Sequence, residues 1–164
     1  IAPSLVGSEM CIRDSTRFNP NFYRNTKVCL SVLNTWRGEG WSGCQTISSI
    51  LLHLCTTLNK KPLLNEPGVR ENHRDYDDYM KIITFKNFEV AVLGIVKKSS
   101  TIYPKLADKF HEEIKINYKK NIKKITALLK ELQAKFPHSK THYTGLYNMN
   151  VNINYSYLLE NIEK

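Results

Sequence analysis

The sequence predicts an α+β chain that is mostly helical. Three observations carry that class: a short β-prone run, Lys27-Val28-Cys29-Leu30; three apolar stripes at helical spacing between residues 46 and 136; and an alternating stretch near the C-terminus. The 164 residues, 41% of them hydrophobic, suffice for one core with an appendage. No apolar run approaches the roughly 20 residues of a membrane-spanning helix, so no membrane partner is expected.

Taken in order, residues 1–15 show neither helical nor strand periodicity. The phrase from Ser4 to Ser15 reads like a translated adaptor or vector stretch, and this segment, with Cys11, is set aside as a foreign leader. The β-prone run at residues 27–30 follows a tight Asn19-Pro20-Asn21 turn, and residues 36–43 form a Gly-rich loop containing Trp41. Thr46 is a plausible N-cap for a helix to about residue 58, whose stripe is Ile47, Ile50, Leu51, Leu54, Cys55 and Leu58. Cys55 on that stripe is read as a core residue, and His53, off it, as surface. Residues 60–68 carry Pro62 and Pro67 and are read as an extended loop.

A second helix is predicted over 74–96, its stripe running Tyr76, Tyr79, Met80, Ile83, Asn87, Phe88, Ala91, Val92 and Ile95. Asp75, Asp77 and Asp78 suit the positive end of its dipole. Ser99-Ser100-Thr101 and Pro104 announce a third helix reaching Phe136, with an apolar residue every three or four positions from Leu106 onward, and Pro137 stops it. In the tail, residues 137–164, Met149, Val151, Ile153, Tyr155 and Tyr157 alternate with polar residues at the strand period; a disordered tail or read-through into non-coding sequence fits equally.

Charge and cysteine usage narrow the function. Of the net +9, about seven belong to residues 97–135, where eleven lysines face four acids, so the basicity belongs to one element. A solvated helix face explains it; acidic partners are the functional alternative. No aromatic–basic platform for single strands and no base-reading motif accompanies it, so nucleic acid is not the expected partner. Four cysteines without a CxxC pair argue against a disulfide framework and a zinc site, and for the cytoplasm or nucleus. No cofactor or metal is expected.

The residues from Asn19 to Trp36 resemble the active-site segment of ubiquitin-conjugating (UBC) enzymes. Asn19-Pro20-Asn21 corresponds to the family's His-Pro-Asn turn, Cys29 lies eight residues past Asn21 where the family has its catalytic cysteine, and Trp41-Ser42-Gly43 corresponds to Trp-Ser-Pro. The phrases Asn-Pro-Asn-Phe-Tyr, Lys-Val-Cys-Leu-Ser-Val-Leu-Asn-Thr-Trp and Asn65-Glu66-Pro67-Gly68 are similar to the branch of very large hybrids that are both conjugating enzyme and ligase. The resemblance covers residues 17–98 well and 99–136 more loosely. It implies the C-terminal part of a UBC-like fold: the end of an antiparallel meander plus helices. Residues 16–98 would be the partial catalytic domain, 99–136 a basic helix and 137–164 a tail. It also implies that the first helix and most of the sheet precede this chain, so the fragment alone is expected to be unstable or partly molten.

The implied chemistry is transthiolation. Cys29 would take ubiquitin from the activating enzyme as a thioester and pass it to a substrate lysine, because a thiolate is nucleophilic at modest pKa cost and its thioester still reacts with amines. Asn21 would stabilise the oxyanion or shape the loop that does, with Asn19, Pro20 and Trp41 as supporting structure and Asn65 or Glu66 as guides for the incoming lysine. The implied partners are ubiquitin, its activating enzyme, substrate lysines and a ubiquitin ligase. Gly43 in place of proline lies in the family's ligase-facing loop and bears on that last partner; Asn19 in place of histidine can still make local turn bonds. On the residues alone, Cys29 also reads as a buried strand cysteine and Asn21 as an ordinary Asx-turn residue. Two other functions stay open: conjugation of another ubiquitin-like modifier, and a non-catalytic module whose basic helix binds acidic partners or nucleic acid.

Overall fold

The computed structural model describes residues 16–25, 27–97 and 104–162, with backbone only at 104–109. The leader, with Cys11, and the Ser99-Ser100-Thr101 cap lie outside the described residues. Helix α1 is Ile47–Thr57, α2 is Tyr76–Lys86 continued by a π-helical stretch Asn87–Gly94, and α3 is Pro104–Lys135. Strands β1 (Lys140–Thr144) and β2 (Met149–Ile153) form an antiparallel hairpin, and α4 is Tyr155–Ile162. The chain is therefore α+β and mostly helical, as expected, but among the described residues its sheet is this hairpin.

The strand expected at residues 27–30 forms only an isolated bridge, Phe22 to Val28. A strand needs a neighbour to take its hydrogen bonds, and here they go to loops: the Cys29 amide donates to the Asn21 carbonyl at 2.8 Å and the Leu30 amide to Thr35 Oγ1 at 3.0 Å. The loop expected over 60–68 contains a 3₁₀ turn, Pro62–Asn65, that buries Pro62 and Leu63.

Helix α1 starts where predicted. Thr46 accepts from the Ser49 amide while the Ser49 side chain accepts from the Thr46 amide, a complete capping box. Its apolar stripe, however, is not core. None of its residues is buried; Ile47 is 78% exposed, and Cys55, expected inside, is exposed. Periodicity marks which face is apolar, not what covers it, and no described element covers this one closely enough to bury a residue.

Helix α2 departs from its single-stripe reading for the opposite reason: it is packed on two sides. One cluster joins Phe18, Leu63, Tyr79, Ile82, Ile83 and Met149; the other joins Phe85 and Leu93 to Leu129 of α3 and to Ile153, Tyr155, Leu158 and Ile162. Ile82, Phe85 and Leu93, absent from the predicted stripe, are all buried. The π-helical stretch from Asn87 shifts the helical phase, so a fixed 3.6-residue period misplaces the side chains beyond it.

The tail is among the best-packed parts of the molecule. Met149, Tyr155 and Leu158 are at most 2% exposed, and Tyr155 packs edge-on to Phe85 and stacks with Phe136. Burial pushes the Tyr155 phenol up to about 12. The alternation expected through Tyr157 stops at Ile153, because the Asn154 side chain accepts from the Tyr157 amide at 3.1 Å and opens α4. Asp75, expected to serve the dipole of α2, instead accepts from the Leu146 amide at 2.7 Å and holds the hairpin turn against that helix. The His142 ring sits 2.9 Å from Asp78 and, by that hydrogen bond above all, holds its carboxyl below the usual carboxylate range.

Candidate active site

The Asn19-Pro20-Asn21 turn is built by its own side chains. The Phe22 amide closes the turn on the Asn19 carbonyl at 3.0 Å, and Asn19 Oδ1 accepts from the Asn21 amide at 2.9 Å, an Asx turn. Pro20 supplies a backbone torsion already suited to the turn and removes a donor that would need a partner. Asn19, 1% exposed, also donates from Nδ2 to the Thr57 carbonyl at 3.0 Å. That carbonyl ends α1 and has no partner within its own helix. The turn is thus moored to the C-terminus of α1.

Asn21 and Cys29 are bonded in both directions. Asn21 Nδ2 donates to the Cys29 carbonyl at 2.7 Å, and the Cys29 amide donates to the Asn21 carbonyl at 2.8 Å. The side chain and backbone of one residue therefore fix the peptide groups on both sides of Cys29. One N–H of the Asn21 amide is spent in this way, and the second has no partner among the described residues. Asn21 Oδ1 is buried without a partner as well. Thr35, which the sequence marks only as part of the phrase from Lys27 to Trp36, completes the support. Its hydroxyl accepts from the Leu30 amide and lies 3.0 Å from the Val28 carbonyl, so it contacts the residues on both sides of Cys29 in the chain.

Cys29 itself is 2% exposed. An open cavity of about 650 Å³ lies along the same segment, lined by Lys27, Asn34, Thr35, Trp36, Arg37 and Pro67. Two of these six residues, Lys27 and Arg37, are cationic, so the cavity carries positive charge.

The other predicted residues divide. Asn65 joins the site: its Nδ2 donates to the Thr57 carbonyl at 2.9 Å and lies 3.4 Å from Asn19 Oδ1, while its Oδ1 accepts from Asn59. Two asparagines from distant segments therefore share one helix-end carbonyl. Glu66 is turned to other work, accepting from the Tyr147 hydroxyl in the tail hairpin. Trp41 is tied in by its backbone, which donates to Asn34 Oδ1 at 3.0 Å; its side chain is half exposed. Gly40 beside it lies against the same amide: a Cβ there would fall 2.2 Å from Asn34 Oδ1 and would have to push it off the Trp41 amide. Lys61, close by in sequence, is paired with Glu71 on the surface.

The comparisons with known proteins point to one family. Residues 9–89 match the family model described as Ubiquitin-conjugating enzyme, a match that takes in seven residues of the segment set aside as a leader. Ubiquitin-conjugating enzyme E2 Z of Danio rerio is 42% identical over 86 residues, covering 51% of this chain and 26% of that protein. E2 Z of Homo sapiens is also 42% identical over 86 residues, with 24% of that protein covered. The human dual E2 ubiquitin-conjugating enzyme/E3 ubiquitin-protein ligase BIRC6, from the hybrid class, is 40% identical over 101 residues, 52% of this chain and 2% of that protein. The chain thus spans about a quarter of the E2 Z relatives it matches.

Proposed function

Residues 9–89 belong to the ubiquitin-conjugating enzyme family, and on that premise we propose that Cys29 is the acyl carrier of a ubiquitin transfer. The Cys29 thiolate attacks the carbonyl carbon of the thioester that joins ubiquitin's C-terminus to a cysteine of the activating enzyme. The activating enzyme's thiolate leaves, and ubiquitin is held as a Cys29 thioester. A substrate lysine amine then attacks the same carbonyl, loses a proton and forms an amide as the Cys29 thiolate departs. A ubiquitin ligase would bring the lysine.

The observation that carries this reading is the reciprocal Asn21–Cys29 pair. Each attack puts negative charge on the thioester oxygen, and a donor already fixed in place stabilises that charge without reorganising. Asn21 has one N–H committed to the Cys29 carbonyl, which sets the amide's position, and a second N–H to offer. Asn19, Asn65 and the Thr57 carbonyl brace the turn from behind. With Cys29 only 2% exposed, charging requires the residues over it to give way, and the cavity between Lys27 and Pro67 offers the approach.

The test charges two proteins with activating enzyme, ATP and ubiquitin: this chain, and zebrafish E2 Z with its matching segment replaced by residues 9–89. The expected product is an adduct lost under reductant, abolished by Cys29→Ala and converted by Cys29→Ser to a reductant-resistant ester. No thiol-sensitive adduct on either protein would defeat the transferase reading.

A further inference from the structure

Away from Cys29 the chain folds a second, smaller cavity of about 220 Å³, lined by Arg17, Tyr23, Arg24, Asn25 and Tyr147. We propose that it is a binding site for a phosphoryl group, with Arg17 and Arg24 as the anion-holding residues. This inference does not depend on the thioester chemistry.

Both guanidinium groups are placed in advance. Arg17 lies over two aromatic rings, its Cζ 3.7 Å from the centre of Tyr23 and 4.5 Å from that of Tyr147. Its Nη2 donates to the Pro20 carbonyl at 2.5 Å, its own carbonyl accepts from the Tyr79 hydroxyl, and its amide contacts Met149 Sδ. Arg24 donates from Nη2 to the Tyr147 carbonyl. Tyr147 is itself held in a left-handed conformation, φ 65°, which non-glycine residues seldom adopt without surrounding contacts to impose it.

The unsatisfied donors point to the ligand. Arg17 Nε and Arg24 Nε are buried and have no hydrogen-bond partner among the described residues, and buried donors in native proteins are almost always paired with protein, water or an ion. Among the described residues, no carboxylate forms an ion pair with either guanidinium. Glu66, which accepts from the Tyr147 hydroxyl, does not line the cavity. Two fixed, unneutralised positive charges beside a cavity of this size match a dianion of a few heavy atoms. A phosphoryl group brings close to two negative charges and three acceptor oxygens, enough for both guanidinium forks; a carboxylate brings one charge and two oxygens. The group can come from a phosphorylated side chain of a partner protein or from a free phosphate compound.

The experiment titrates the full chain, labelled at arginine with nitrogen-15, at constant ionic strength so that general attraction to a +9 chain is held fixed. The probes are inorganic phosphate, acetate, and a short neutral peptide with and without one phosphoserine. The expected result is saturable movement of two arginine Nε–H signals with phosphate. Arg24→Gln should weaken phosphate binding at least tenfold. A phosphopeptide that binds tenfold tighter than phosphate identifies a protein-borne phosphoryl group as the source; equal affinity identifies a free one. The proposal is overturned if no Nε–H signal saturates by about 20 mM phosphate, if acetate binds as well, or if Arg24→Gln binds phosphate unchanged. The wild-type Nε–H signals decide the matter even where the variant does not fold.

Discussion

Asn21 holds Cys29 by the carbonyl with its side chain, at 2.7 Å, and by the amide with its backbone, at 2.8 Å. Eight residues of sequence thereby become a closed loop in which the thiol-bearing residue cannot shift without breaking two bonds. Placement of a reacting atom matters to rate because a fixed near-attack geometry replaces a search through orientations. Replacing Asn21 by Ala should slow thioester formation and discharge in the E2 Z chimaera by at least tenfold. It should also lower stability by about 1–2 kcal/mol, the net worth of one buried hydrogen bond and its stranded acceptor. Asn21→Asp keeps the volume but sets a carboxylate against the Cys29 carbonyl, and should be no better than Ala. Single-turnover charging and urea denaturation measure both effects.

Accessibility separates the cysteines. Cys29 is buried while Cys44 and Cys55 are exposed. Iodoacetamide under native conditions should therefore label Cys44 and Cys55 well before Cys29, with the difference erased in denaturant. Peptide mass spectrometry over a time course reads this directly, and Cys29 labelled as fast as Cys55 would contradict its burial.

The paired asparagines predict an order of stabilities. Asn65→Ala leaves the Thr57 carbonyl still bonded to Asn19 and should cost only about 1 kcal/mol. Asn19→Ala strands the buried Asn21 amide as well as loosening Thr57, and should cost more, roughly 2–3 kcal/mol. Urea midpoints rank the two. An Asn65→Ala variant of normal stability that discharges to lysine slowly would assign Asn65 to guiding the substrate instead of bracing the turn.

Acid should loosen the contact between the hairpin and α2. Asp78 is held below its ordinary range, chiefly by its hydrogen bond to His142 and secondarily by Lys81, with partial burial opposing. Its folded value being the lower one, the stabilisation is present above the unfolded value near 4 and is lost as pH falls through the folded value. Thermal midpoints measured from pH 6 to pH 2.5 should fall more steeply in the wild type than in Asp78→Asn. The difference should be small, because the Asp78 side chain is 40% exposed and solvent screens the pair.

The tail should behave as core. Leu158 is fully buried in the cluster shared by α2, α3 and α4, and Leu158→Ala should cost about 2–5 kcal/mol by lost burial and the cavity left behind. Leu52→Ala on α1, where the side chain is 66% exposed, should cost almost nothing. Equal effects in urea denaturation would mean that Leu158 is not part of a close-packed core.

The sequence alone determined what is local. The Asn-Pro-Asn turn, the spacing to Cys29, the Thr46 cap and the start of α3 at Pro104 depend on neighbours a few residues apart, and each appears where the residues place it. Only the tertiary structure decided what depends on partners far along the chain. It left the α1 stripe exposed, gave α2 two buried faces, and turned the tail into a packed hairpin and helix. It brought Asn65 to Asn19 across 46 residues and Arg17 to Tyr147 across 130. A side chain's own chemistry sets which contacts it can make. Which of them forms depends on what the folded chain brings within reach, and nothing in the residues around Asn65 or Tyr147 names those partners.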